Sequence, residues 1–105
     1  MTTRTVDGIA VDVNDEGFFV HPEQWTEAMA PTLAKEVDID ALTDRHWVVI
    51  RFVRHEFEQK GTGPTVRVLG KTSGVGTKEL FELFPKGPAK IAAKVAGIPK
   101  PRGCI

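Results

Sequence analysis

The chain has 105 residues, of which 41% are hydrophobic and 27% charged, a composition typical of one globular domain. Its 14 basic and 14 acidic residues balance, no apolar run reaches the length of a membrane span, and one cysteine excludes an internal disulfide framework. We therefore expect a cytoplasmic protein with no membrane segment.

The neutral total hides a polarised charge distribution. Residues 86–105 contain five of the basic residues and none of the acidic ones, so this segment carries +5 and the rest of the chain −5. We expect the C-terminal segment to approach an acidic partner surface, whereas the acidic body repels duplex DNA.

Residues 1–20 alternate between polar and apolar side chains, which is typical of β-strands. Asp7-Gly8 lies between two alternating runs, and this dipeptide is the strongest short signal for a tight hairpin. The sequence therefore predicts an N-terminal β-hairpin that covers one side of a helical core.

From residue 22 the apolar period changes towards that of a helix. Met29, Leu33 and Val37 recur at four-residue spacing, and Thr26 precedes them as a candidate cap. The pattern predicts a first helix in this region.

A longer helix is predicted from Thr43, a favoured N-cap residue, to Gly61, a favoured stop. Its first two turns are apolar on nearly every side, which places it at the centre of the core. We interpret Arg51 and Arg54 on this helix as side chains whose stems cover apolar surface while their charged ends stay in water. The alternative is that they form part of the face against which the C-terminal tail rests.

Two short helices are predicted next, one opened by Thr62-Gly63-Pro64 and one capped by Thr77, with Ser73-Gly74-Val75-Gly76 between them. Such a pair resembles a helix-turn-helix, so a DNA-binding regulator is an alternative function. The segment 78–82 carries two acids and one base, however, which opposes contact with phosphates. We expect no direct nucleic-acid partner.

The last helix is predicted over residues 86–96 and ends at Gly97. Pro99 and Pro101 then forbid a helix and favour an extended arm, with Gly103 as a hinge. We expect a globular domain over 1–97, with the hairpin in 1–20 and the helices in 22–97, and a flexible arm over 98–105.

Cys104 is the only cysteine, and its place beyond this arm predicts an exposed and reactive thiol. Lys100 and Arg102 are expected to favour its thiolate and to guide docking, and Gly103 to give it freedom. A lone thiol on an exposed arm can accept sulfur from a donor, hold it as a persulfide and pass it to another thiol by exchange, whereas a lone cysteine in the middle of a domain is usually a small buried apolar side chain.

Several blocks of the sequence together resemble one known family, the DsrC/TusE family of sulfur carriers. The blocks are Asp15-Glu16-Gly17-Phe18, Gln24-Trp25, His46 to Arg54, Pro64-Thr65-Val66-Arg67, Leu83 to Lys90, Lys94 to Pro101 and Cys104-Ile105. They are in register over nearly the whole chain. The family is divided by a second cysteine eleven residues before the last, and in this chain that position is Ala93.

The resemblance implies a sulfurtransferase that acts as a carrier within a relay, with Cys104 as its reactive residue. It implies an upstream sulfurtransferase complex of the TusBCD type and, for the single-thiol branch, a downstream tRNA thiolase that modifies wobble uridine. A partner subunit of a dissimilatory sulfite-reductase-type enzyme or of sulfur oxidation is the alternative. The resemblance implies no cofactor.

No metal site is predicted either. His46 and His55 lie on opposite sides of their predicted helix, and no cluster has ligand spacing. The predicted fold is mainly α with a small N-terminal β-hairpin (α+β): an orthogonal bundle of about five helices that contains a helix-turn-helix-like pair and ends in the arm.

Overall fold

The computed structural model describes residues 1–101, which form one β-hairpin, one 3-10 turn and five α-helices. The elements are β1 (Thr2–Val6), β2 (Ile9–Val13), the 3-10 turn (Pro22–Gln24), α1 (Met29–Glu36), α2 (Asp44–Lys60), α3 (Val66–Thr72), α4 (Thr77–Leu83) and α5 (Pro88–Val95). The mainly helical fold with an N-terminal hairpin is confirmed. No helix in this part of the chain has the length and apolar character needed to cross a bilayer.

The hairpin forms where the Asp-Gly signal predicts it. β1 and β2 pair antiparallel, and Asp7 and Gly8 between them have φ angles of 50° and 81°, the left-handed values that a tight hairpin turn needs. The inner face joins a small cluster with the start of α1, formed by Val6, Val11, Val13, Phe19, Met29 and Leu33.

Helix α2 has the predicted boundaries. The Thr43 hydroxyl accepts a hydrogen bond from the backbone N–H of His46, and the His46 ring nitrogen Nδ1 accepts one from the backbone N–H of Thr43 at 3.0 Å. Gly61 ends the helix with a φ of 74°. Through Val49, Ile50 and Val53 the helix contributes to the main core.

Helix α5 is short, yet it packs against α1, α2, α3 and α4. Six of its eight residues are buried: Pro88, Ala89, Ile91, Ala92, Ala93 and Val95. Its small side chains leave room for neighbouring helices to approach closely. The core is therefore centred on α5 as well as on α2.

Four predicted helix starts differ from the structure. Helix α1 begins at Met29, and Thr26 contributes only its carbonyl oxygen, which accepts from the Met29 N–H at 3.0 Å. Helix α3 begins at Val66 rather than near Pro64, because the Thr65 side chain accepts from a backbone N–H in the first turn and caps the helix there.

Helix α4 begins at Thr77, the residue predicted to cap it, after Gly76, and helix α5 begins at Pro88 rather than at residue 86. Several residues near the starts of α3 and α4 are favoured as N-caps, so local sequence preference alone does not identify the first residue of either helix.

Candidate functional site

The candidate site is the chain that follows α5. Of the residues predicted to work there, Lys100 is described by the structure, whereas Arg102, Gly103 and Cys104 lie outside the described residues. We call residues 97–101 the arm root. The structure shows how this root is attached to the body.

Gly97 redirects the chain at the end of α5. Its φ is +67°, its N–H donates to the Lys94 carbonyl at 3.3 Å, and the Ile98 N–H donates to the Ala93 carbonyl at 3.1 Å. This pattern closes a helix and sends the following residues in a new direction. The predicted helix stop is confirmed.

Trp25 packs against the backbone of this helix end. Its indole Nε1–H donates to the Val95 carbonyl at 3.0 Å. A Cβ added to Gly97 would come closer than 3.0 Å to the Trp25 side chain, so the ring fits only against a glycine. Glycine is required here for both its conformation and its size.

Arg54 of α2 holds the same helix end from another side. Its Nη1 donates to the Ala96 carbonyl at 2.7 Å and its Nη2 to the Pro22 carbonyl at 3.2 Å, while its guanidinium lies 4.3 Å from the Trp25 ring centroid. The pKa of this guanidinium is lowered, because burial outweighs the opposing effect of Glu58. The side chain nevertheless stays protonated, as arginines in proteins do.

For Arg54 the structure agrees with the alternative interpretation, because its guanidinium bonds to the backbone carbonyls of Ala96 and Pro22, whereas the preferred interpretation left this charged end in water. Arg51, one turn earlier, differs: its side chain is 69% exposed, with its guanidinium 5.2 Å from the Trp47 ring centroid. The two arginines on one helix thus have separate roles, and only Arg54 contacts the end of α5.

The arm root is packed as far as Pro101. Ile98 is 0% exposed and Pro101 is buried. A Cβ on Gly63, in the loop between α2 and α3, would lie 2.6 Å from Ile98 Cδ1 and 3.2 Å from Pro101 Cγ. Residues 98–101, assigned to a flexible arm by their prolines, therefore lie against the body, because Ile98 and Pro101 find an apolar surface there.

Lys100 contacts the body through a carboxylate far away in sequence. Its Nζ donates to Glu16 Oε1 at 2.9 Å and to Oε2 at 3.2 Å, and Lys90 of α5 lies 3.5 Å from the same carboxylate. The hydrogen bond from Lys100 is the main cause that lowers the pKa of Glu16. The structure thus pairs Lys100 with Glu16, a contact that the sequence did not indicate.

An open groove of about 450 Å³ runs beside the arm root. Its lining combines apolar and acidic side chains with Arg54: Pro22, Glu23, Arg54, Phe57, Glu58, Gly61 and Ile98. No group of three His, Cys, Asp or Glu residues within 1–101 is arranged to hold a metal ion.

The second helix of the α3–α4 pair lacks the basic surface that a DNA-binding helix-turn-helix uses to contact phosphates. A Cβ on Gly70 would come closer than 3.0 Å to Thr77 Oγ1, so the two helices pack tightly on each other. Glu79 on α4 pairs with Arg45 of α2 through two bonds, at 2.8 and 2.7 Å. The pair is a packing unit with acidic residues on its second helix.

Sequence reasoning missed three residues that contact the arm root, namely Glu16, Trp25 and Gly63. Each contacts the root from a distant part of the chain, so no local pattern marks it. The available signal was their place in the blocks shared with a known family, which contain all of them except Gly63.

Comparison with known proteins covers nearly the whole chain. The family model described as "DsrC like protein" matches residues 5–105. The "Sulfurtransferase TusE" of Pectobacterium atrosepticum is 41% identical over 107 aligned positions, covering 94% of this chain and 96% of that protein. The "Sulfite reductase, dissimilatory-type subunit gamma" of Nitratidesulfovibrio vulgaris is 34% identical and covers both chains completely.

Among solved structures, the NMR structure of Allochromatium vinosum DsrC has a TM-score of 0.81 and 39% sequence identity, covering 98% of this chain and 97% of that one. These matches include the hairpin, the helices and the C-terminal segment. None of them supports a DNA-binding regulator, and the family resemblance inferred from the sequence is confirmed.

Proposed function

The chain belongs to the DsrC-like protein family, and on this basis we propose that it is a sulfur carrier whose Cys104 accepts sulfane sulfur and passes it on. Relatives named Sulfurtransferase TusE support a sulfur-transfer role. The destination that we propose is the 2-thiolation of wobble uridine in tRNA, reached through a downstream thiolase. The reducing cytoplasm is the proposed location, since it keeps a lone thiol free.

The transfer needs no external oxidant or reductant. The Cys104 thiolate attacks the outer sulfur of a persulfide on the donor, a new S–S bond forms, and the donor's S–S bond breaks to release its thiolate. The outer sulfur of the Cys104 persulfide is then attacked by the acceptor thiolate in the same way. The number of S–S bonds is unchanged at each step.

The observation that best supports this proposal is the packed arm root. Cys104 follows Pro101 by three residues, which span at most about 11 Å of extended chain. The only thiol of the protein thus follows a packed attachment by three residues, and we propose that the boundary between body and arm lies after Pro101. Such a thiol serves a carrier, with the partner enzymes supplying catalysis.

A role as partner subunit of a sulfite-reductase-type enzyme is the second candidate, favoured by the match to the gamma subunit. The family position of the second thiol is Ala93, which is 0% exposed, and the chain has one cysteine in total. A cycle that needs two thiols on one chain has no second sulfur here. We therefore prefer the single-thiol relay.

The test is the intact mass of the reduced protein after incubation with a persulfide-charged bacterial sulfurtransferase. We expect a gain of one sulfur atom that a reductant reverses and that the Cys104→Ser variant does not show. The variant is a matched control because it replaces sulfur by oxygen and leaves residues 1–101 unaltered.

Charging of the Cys104→Ser variant, or no charging of the wild type by a donor that charges other thiols, would refute the proposal. The destination needs a second step. Charged protein is mixed either with a tRNA thiolase and its tRNA or with a sulfite-reductase-type enzyme, and sulfur is expected in the tRNA.

A further inference from the structure

We propose that Glu16 is a positioning residue for sulfur transfer, which fixes the direction of the arm root by holding Lys100. This inference rests on the proposed function of Cys104. It extends that function to a residue of the N-terminal turn, 84 positions from the lysine it binds.

The turn that carries Glu16 is itself well fixed. The side-chain oxygen of Asn14 accepts from the backbone N–H groups of Glu16 at 2.9 Å and of Phe18 at 3.0 Å, and the Gly17 N–H donates to the Asn14 carbonyl at 3.0 Å. Phe18 is 0% exposed in the main core. The Glu16 backbone is therefore anchored on both sides.

One carboxylate joins two separate parts of the C-terminal segment. Lys90 extends from α5 and Lys100 from the arm root, and both ammonium groups approach Glu16. Lys94, one turn after Lys90, lies 5.1 Å from the Phe18 ring centroid and so contacts the same turn. The N-terminal turn, α5 and the root are thus connected at one place.

The contact acts on the last described stretch before the thiol. Lys100 is four residues before Cys104, so its anchoring limits the directions from which the thiol leaves the body. Because the root is already oriented in the free protein, binding a partner costs less conformational entropy. Because the ion pair is partly exposed, we expect an effect of about two- to fivefold.

The experiment measures charging of Cys104 against the concentration of a persulfide-charged bacterial sulfurtransferase. Here KM is the donor concentration at half-maximal charging rate, and kcat is the maximal charging rate per molecule of this protein. In Glu16→Gln we expect KM to rise about two- to fivefold with kcat unchanged, because binding loses pre-organisation while the thiol chemistry stays the same. A misfolded fraction would instead lower kcat. Asp38→Asn is the matched control, since Asp38 forms an exposed ion pair of the same kind at 2.7 Å, but with Lys86 before α5 and not with a residue of the root.

A double-mutant cycle separates positioning through Lys100 from other effects. In a Lys100→Gln background, Glu16→Gln is expected to change KM no further. An unchanged KM in Glu16→Gln, or a full effect that persists without Lys100, overturns the inference while the carrier function stands. A wild-type protein that takes up no sulfur refutes the carrier function first.

Discussion

The two ends of α5 are held by different kinds of contact. At its start, Gly87 provides no side-chain cap, and the preceding Lys86 pairs with Asp38 through side chains that are 69% and 74% exposed. At its end, Trp25 and Arg54 donate hydrogen bonds to the carbonyls of Val95 and Ala96, two residues that are 0% exposed. Close packing and hydrogen bonds to buried residues therefore occur at the end of α5 that precedes the arm root.

This difference indicates that contacts at the end of α5 contribute more to stability than those at its start. An exposed ion pair contributes little to stability because water and salt screen it and two long side chains lose freedom. Buried carbonyls without their donors, or a side chain forced into a filled space, cost considerably more. We expect substitutions at the end of α5 to be damaging and substitutions at its start to be tolerated.

The largest effect is expected for Gly97→Ala. The new Cβ would overlap the Trp25 side chain, and alanine disfavours the φ of +67°, so we expect a loss of about 2–4 kcal/mol in the free energy of unfolding. Urea denaturation followed by circular dichroism measures it.

Gly74→Ala is the matched control for that variant. Gly74 has a φ of +87°, but a Cβ there would have no neighbour within 4 Å. It should show only the conformational cost, about 1 kcal/mol. Equal losses at the two glycines would contradict the close packing of Trp25 on Gly97.

The next effect is expected for Arg54→Met, which keeps an apolar stem and removes the donors to Ala96 and Pro22. Leaving a buried carbonyl without its donor costs about 1–3 kcal/mol in the free energy of unfolding. Arg51→Met, on the exposed side of the same helix, should change stability by no more than about 0.5 kcal/mol. If the two variants lose the same stability, Arg54 does not hold the end of α5.

The comparison also explains how far the sequence predicted the fold. The hairpin turn at Asp7-Gly8 and the ends of α2 at Thr43 and Gly61 were correct, because each depends on backbone conformations that a few adjacent residues decide. Gly97 was recognised as a helix stop for the same reason.

The arm root was not predicted because its contacts are non-local. The prolines at 99 and 101 indicate an extended chain, but nothing near them in sequence shows that Ile98 and Pro101 meet the loop at Gly63. For Arg54 the sequence left two interpretations open, because amphipathic chemistry describes a surface arginine equally well until Ala96 and Pro22 are placed beside it.

The smallest effect concerns pH. The pKa of Glu16 lies below its ordinary value of 4.5 because its carboxylate accepts a hydrogen bond from Lys100. The contact is therefore complete above pH 4.5 and is lost as the pH falls through the lowered pKa. Titration of the Glu16 carboxyl carbon by NMR should give a midpoint below 4.5, and Lys100→Gln should move it upwards.

A Glu16 midpoint at or above 4.5, or one that Lys100→Gln does not move, would show that the ion pair does not form in solution. The end of α5 would then still be held by Trp25, Arg54 and Gly63, but the link to the N-terminal turn would be lost.

The central claim is that the arm root, residues 97–101, is held against the body as far as Pro101, and we propose that Cys104 is presented from it. Backbone ¹⁵N relaxation of the reduced protein tests it most directly, because Ile98 and Lys100 both have amide protons. The account predicts order parameters at these two residues close to that of Val95 in α5. A steady fall in order that begins at Gly97 would contradict it and restore an arm that moves from residue 98.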